Sequence, residues 1–261
     1  MERIDFLGAP GVGKSSLLNY LLNKSHYHRQ ILKPDKAKII LAKEYLKASH
    51  RSYIYFLVSI VFRFCTFSRI RTLFANEILK NAEDDNLWNK RDQYKAFINN
   101  VLEIATSSKK DPIITLFGIN RFFNVSKYTF LLEFSKQEGI VLFDESLSQK
   151  VYGLVNCENY LDQEAIKKYF TYMPLPRCLV YCYLDLENLL DRIKKRNKII
   201  LPHRNLSEEQ LRIVCRNQLE VASIGKEVLE SRGCNIIQIN MKDELMILSD
   251  KLNNELKLLL K

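Results

Sequence analysis

Glycine and proline are scarce in this chain, eight and six among 261 residues, which excludes collagen-like and low-complexity disordered compositions. With 47% hydrophobic residues, the composition is globular and leans toward helix. None of the six cysteines stands in a C-x-x-C pair, so reduced, mostly buried thiols are expected. His26 and His28 have no cysteine or acidic company at ligand spacing, which argues against a metal site there. No apolar run approaches the roughly 20 residues that cross a bilayer. The most apolar stretch, Tyr53 to Phe62, has ten residues and reads as a buried helix. A membrane-surface helix is the alternative, because Arg63, Arg69 and Arg71 follow among Phe64, Phe67 and Phe74. Met1 leads straight into an apolar strand, so no signal or transit peptide is expected. The location implied is cytoplasmic, with peripheral membrane contact as the option. Internal repeats are absent.

What is present is a phosphate cradle. Gly8-Ala9-Pro10-Gly11-Val12-Gly13-Lys14-Ser15 reads G-x-x-x-x-G-K-S, between an apolar run ending at Leu7 and a helical pattern opening at Ser16. Gly8, Gly11 and Gly13 permit positive φ and close approach of bare backbone to a ligand. Successive N–H groups then form a nest for a β-phosphate, at the positive end of the following helix. Lys14 supplies a cation for the β- and γ-phosphates and the Ser15 hydroxyl can ligand Mg²⁺. The pattern is that of a P-loop, and it leaves ATP and GTP undivided.

Strands alternate with helices on either side of a long helical segment. Runs at Met1 to Leu7, Gly139 to Phe143, Cys178 to Leu184 and Asn235 to Ile239 read as strands. Helices are expected over about 14–23, 37–48, 53–79, 87–107, 186–195 and 208–231, and as a leucine stripe from Leu245 to Leu259. Lys38 to Leu41 is also compatible with a short strand. Glu83 to Asn86 reads as a loop, and Ser107 to Pro112 as a break after which Pro112 opens either a helix or a strand. Ser207 to Gln210 is a capping box. The expected fold is α/β: a P-loop NTPase three-layer domain over 1–261, with a parallel sheet of about five strands. A helical insertion at about 25–137 would bind substrate or partner.

The net charge of +10 is concentrated. Between Lys24 and Arg71, eleven Lys and Arg stand against only Asp35 and Glu44. A solvated basic face accounts for this. So does an anionic partner, whether a phosphorylated substrate, a nucleic acid or an acidic membrane surface.

Two further stretches carry candidate chemistry. Leu142-Phe143-Asp144-Glu145 is an apolar strand ending in acids, a Walker B arrangement. Asp144 is placed to share Mg²⁺ with Ser15, and Glu145 to take a proton or orient water. Arg192 and Arg196 stand four apart, so a helix would put them on one face, suited to a polyphosphate. The stretch 197–205, with Pro202, His203 and Arg204, reads as a flap. Asn89-Lys90-Arg91-Asp92 spells a guanine signature. It precedes Asp144 and follows no apolar strand, so it is set aside.

The P-loop, the Leu142 to Ser148 strand end, and Tyr183-Leu184-Asp185 through Arg192-x-x-x-Arg196 together resemble the P-loop small-molecule kinases. The nucleoside and nucleotide kinase group is the nearest. The resemblance covers about 1–24 and 139–241. It implies an ATP- and Mg²⁺-dependent kinase acting on a small-molecule phosphate acceptor. Gly8 to Ser16 would hold the triphosphate, Ser15 and Asp144 the metal, and Lys14, Asp144, Glu145, Arg192 and Arg196 would serve catalysis. Thymidylate kinases carry Asp-Arg-aromatic at that strand end and deoxynucleoside kinases Glu-Arg-Ser, where this chain has Asp144-Glu145-Ser146. The early Glu-Pro-x-x-Trp of the deoxynucleoside kinases is not visible either, so no acceptor is named. The alternative is an ATPase that couples hydrolysis to nucleic acid or acidic membrane through the basic stretch 24–71.

Overall fold

The computed structural model describes residues 1–24, 31–48, 68–89, 91–108, 110–158, 160–196 and 206–259, with positions 56, 58–60, 62 and 203. Five strands, β1 (Glu2–Leu7), β2 (Ile31–Leu32), β3 (Ile140–Phe143), β4 (Cys178–Tyr183) and β5 (Asn235–Asn240), form one sheet in the order β2-β3-β1-β4-β5. Every pairing is parallel; Ile4, for example, lies opposite Leu142 on one side and Cys178 on the other. This is the expected α/β architecture, with the P-loop strand at the centre.

Parallel strands buried on both faces need apolar residues at successive positions, and here the two faces feed different cores. Ile4, Phe6, Val180 and Cys182 pack with Leu17 and Leu21 of α1 (Lys14–Lys24) and Leu252 and Leu256 of the C-terminal helix Leu245–Leu259. Leu7 and Leu179 face Tyr169 and Phe170 of the helix Gln163–Tyr172 and Val221 and Ala222 of Glu208–Ser231. That last helix closes tightly because a Cβ at Gly225 would fall 2.5 Å from the Phe170 ring. A third cluster joins Val141 and Phe143 to Leu41 of Pro34–Ala48, Leu79 of Ser68–Asn89 and Leu132 of Pro112–Phe134.

Local signals explain most element ends. Ser207 accepts from the Gln210 amide at 3.2 Å while Gln210 returns a bond to the Ser207 amide, the expected capping box. At the 107–112 break, Asp111 caps a helix that Pro112 opens, accepting from the amides of Ile113 and Ile114. The five described cysteines, Cys157, Cys178, Cys182, Cys215 and Cys234, are free and buried.

Two expectations are corrected, and one unassigned stretch is filled. Lys38 to Leu41 is helical within Pro34–Ala48, and the edge strand is the two-residue β2 just before it. Glu83 to Asn86 lies inside the helix Ser68–Asn89, because acidic residues without glycine or proline do not break a helix. The stretch Ser146 to Pro176, which carried no assignment, holds the helices Leu147–Leu154 and Gln163–Tyr172. Of the apolar run 53–62, positions 56, 58–60 and 62 are described and helical, with Phe62 buried but Phe56 and Ile60 exposed. Its other positions, residues 25–30, 49–52 and 63–67 of the basic stretch 24–71 (the histidines at 26 and 28 among them) and most of the flap lie outside the described residues. Among the described residues, no helix is long and apolar enough to cross a membrane.

Candidate functional site

β1 delivers the chain to Gly8, where a Cβ would overlap the Cys182 carbonyl of the neighbouring strand, so only glycine passes. Gly11 and Gly13 then adopt φ of 108° and 109°, the region that glycine enters without strain. The Val12 amide closes the turn on the Ala9 carbonyl at 3.1 Å, and α1 opens at Lys14. A Cβ at Gly13 would stand 3.1 Å from the Met241 methyl and 3.3 Å from Arg192 Nη1.

Lys14 is buried, with 8% of its surface exposed. Its Nζ donates to the Gly8 carbonyl at 2.7 Å and the Ala9 carbonyl at 3.1 Å. Burial pushes its pKa down to about 8, partly opposed by Cys182, Glu145 and Asp144 and reinforced by Arg196. The acidic strand end therefore lies within electrostatic range of the P-loop lysine. The Cys182 thiol, pushed up to about 12 by burial, stays protonated beneath it. Ser15 and Ser16 are exposed at the start of α1, Asp144 is half-buried and Glu145 is exposed.

The helix Leu147–Leu154, not foreseen from sequence, forms the second wall. Gln149 Nε2 donates to the same Gly8 carbonyl that Lys14 binds, at 2.9 Å. Ser148 Oγ donates to Asp5 Oδ2 at 2.8 Å, and Lys150 Nζ meets Glu145 Oε2 at 2.5 Å. Asp5 itself is wholly buried on β1, with Arg3 Nε 3.3 Å from its other oxygen. Arg3 continues to Glu133 at 3.1 Å, and Tyr94 donates to that glutamate at 2.6 Å. A charged pair inside an apolar central strand was the signal in the sequence for this network.

The two arginines do not share a helix face. The helix Leu186–Lys194 ends two residues short of Arg196, which follows the Lys195 cap. Without glycine or proline after Arg192, the periodic pattern ran past the true end. Arg192 reaches the P-loop, donating through Nη1 to the Val12 carbonyl at 2.8 Å and through Nη2 to the Met241 carbonyl. Asp185, at the end of β4, caps this helix through the Asn188 amide and pairs with Lys242 at 2.7 Å. Lys242 first, and then the Asn188 amide, hold its carboxyl well below the usual range. Within the supposed flap, His203 is described and buried, its Nε2 3.1 Å from Gln218 Oε1. The guanine-like stretch lies at the junction of two helices, Ser68–Asn89 and Arg91–Ser107.

The donor set fits a polyphosphate: a glycine-lined turn with positive φ, a buried ammonium satisfied by that turn's own carbonyls, and oxygen ligands in Ser15 and Asp144 suited to Mg²⁺.

No protein-family model matches this chain, and none of the curated proteins matches it. Among solved structures, deoxyadenosine kinase from M. mycoides with bound dATP aligns over 98% of this chain and 99% of that one. The identity is 15% and the TM-score 0.38, and no conclusion about activity follows from such a likeness.

Proposed function

We propose that this chain is an ATP- and Mg²⁺-dependent kinase that transfers the γ-phosphate to a small-molecule hydroxyl or phosphate. The observation that carries the reading is convergence at one end of the sheet. A glycine-turned loop, a buried Lys14, the Asp144-Glu145 strand end and Arg192 all meet there.

The division of labour follows from chemistry. The backbone from Gly8 to Ser16 binds the triphosphate, and Ser15 with Asp144 would hold Mg²⁺, which supplies charge neutralisation. Lys14 leaves its loop carbonyls to neutralise the transferred group. With a hydroxyl acceptor, the acceptor oxygen bonds to phosphorus as the bond to the bridging oxygen breaks. That electron pair stays with ADP, and Glu145 takes the hydroxyl proton. Arg192 keeps the loop in register, and Arg196 adds positive potential to the same region.

The test is γ-labelled ATP with Mg²⁺, with and without a pool of nucleosides, nucleotides, sugars and glycolipids, and with Lys14→Ala as blank. Label on an organic acceptor that depends on Lys14 is the expected result. Label released only as free phosphate, equally fast without the pool, overturns the kinase and leaves an ATPase.

A further inference from the structure

Lys14 and Lys150 are the buried lysines among the described residues, 8% and 9% exposed. Both stand at the same end of the sheet. The first has the accepted reason for burial in a P-loop; the second has none in the roles assigned so far.

Among the described residues Lys150 has one partner of opposite charge, Glu145, whose side chain is 74% exposed. An exposed carboxylate is already well solvated and gains little from an ion pair, commonly less than about 1 kcal/mol. Burying an ammonium costs several-fold more than that return. The pair therefore makes poor sense as a stabilising device. It makes sense if the ammonium is kept where a second anion arrives.

The neighbours of Lys150 say which anion. Gln149 donates to the Gly8 carbonyl, the same atom that receives Lys14 Nζ. Ser148 is anchored to Asp5 on the strand that leads into the loop. Three consecutive side chains of this helix thus engage the P-loop strand, the P-loop and the acidic strand end. The helix start is rigidly indexed to the phosphate cradle, and Lys150 with it.

We infer that Lys150 is a second phosphate-binding cation of this site, held on Glu145 and transferred to the terminal phosphate when a nucleoside triphosphate binds. The inference rests on the nucleotide reading given above and deepens it. Its consequence is an order of events: arrival of the triphosphate draws the ammonium away, and Glu145 becomes free to accept a proton.

The test is calorimetric binding of Mg·ATP and Mg·ADP to the full chain, with thermal melts on every variant. Losing one charge-assisted bond predicts that Lys150→Met weakens Mg·ATP about tenfold and Mg·ADP by less than about twofold. Lys150→Arg should keep most of the affinity. Glu145→Gln removes the competing carboxylate and should tighten Mg·ATP a few-fold. The double variant Lys150→Met with Glu145→Gln should stay as weak as Lys150→Met. Recovery of wild-type affinity in the double variant would mean that Lys150 only neutralises Glu145, and the inference falls. Should Lys150→Met fail to fold, weakening rather than tightening by Glu145→Gln overturns it equally. If Lys14→Ala abolishes binding while both Lys150 variants bind like wild type, the inference fails and the nucleotide reading stands. If the unaltered chain binds neither nucleotide, both fall.

Discussion

Arg192 Nη1 donates to the carbonyl of Val12 at 2.8 Å, joining the helix after β4 to the middle of the P-loop across 180 residues of sequence. Its other terminal nitrogen holds the Met241 carbonyl beyond β5. One planar guanidinium thus ties three segments, which an ammonium cannot do with the same geometry. Arg192→Ala should lower stability by about 1.5–3 kcal/mol, the worth of hydrogen bonds to a charged group. It should also weaken nucleotide binding. Arg192→Lys should recover little of either. If Arg192→Ala melts like the wild type and loses only kcat, the residue acts on the transition state alone and the bracing account is wrong.

Lys14 carries a pH prediction. Its pKa falls from 10.5 to about 8 on burial, so between those values the unfolded chain binds more protons than the folded one. The cost of burying the ammonium is complete below about pH 8 and disappears as pH rises toward 10.5. Relative to Lys14→Met, the wild type should gain stability across that window. A polyphosphate reverses the preference, because it favours the charged amine. Nucleotide binding at pH 8 should therefore take up about half a proton, and much less at pH 7. Calorimetry in two buffers of different ionisation enthalpy measures this directly; a proton count independent of pH would contradict it.

How far the chain was legible from its residues depended on whether burial and polarity agreed. The P-loop was readable because its glycines are demanded by backbone geometry, at Gly8 by the Cys182 carbonyl and at Gly11 and Gly13 by positive φ. β3 and β4 were readable because strands buried on both faces are apolar nearly throughout, and the edge strand β5 because buried Ile237 and Ile239 flank the exposed Gln238. The helix Leu147–Leu154 was not, since its buried positions include Ser148 and Lys150, which erase the apolar period. For the same reason Gln149 and Lys150 escaped notice. β2 is two residues long, too short for any pattern. The Arg192 and Arg196 pairing misled because side-chain spacing marks a helix face only while the helix lasts.

The buried pair on β1 is best tested as a cycle. Arg3→Met strands Asp5, which is wholly buried, and also releases Glu133. Removing one member of a buried pair costs about 3–5 kcal/mol, and that loss is expected here. Asp5→Leu should cost less, because Arg3 keeps Glu133. The double variant should be more stable than the Arg3→Met single, since no unpaired charge is left in the interior. Urea titrations of the four proteins give the coupling; strict additivity would mean that the two side chains do not depend on one another.

The crossing of Pro112–Phe134 over Leu147–Leu154 sets the position of the second wall and yields an asymmetric prediction. A Cβ on Gly118 would overlap the Gly153 carbonyl, whereas a Cβ on Gly153 meets only the Gly118 Cα at 3.4 Å. Both glycines lie inside helices, where alanine is favoured by up to about 1 kcal/mol. Gly153→Ala should therefore be neutral or slightly stabilising. Gly118→Ala must push the helices apart, and overpacking of this kind costs about 1–3 kcal/mol, so its melting temperature should fall. Because the shorter helix carries Gln149 and Lys150 to the Gly8 carbonyl and Glu145, Gly118→Ala should also weaken Mg·ATP binding, although it lies in neither the P-loop nor the acidic strand end. Equal melting temperatures for the two variants would show that the crossing is looser than the glycine contact requires, and would remove the mechanical link between this helix pair and the phosphate cradle.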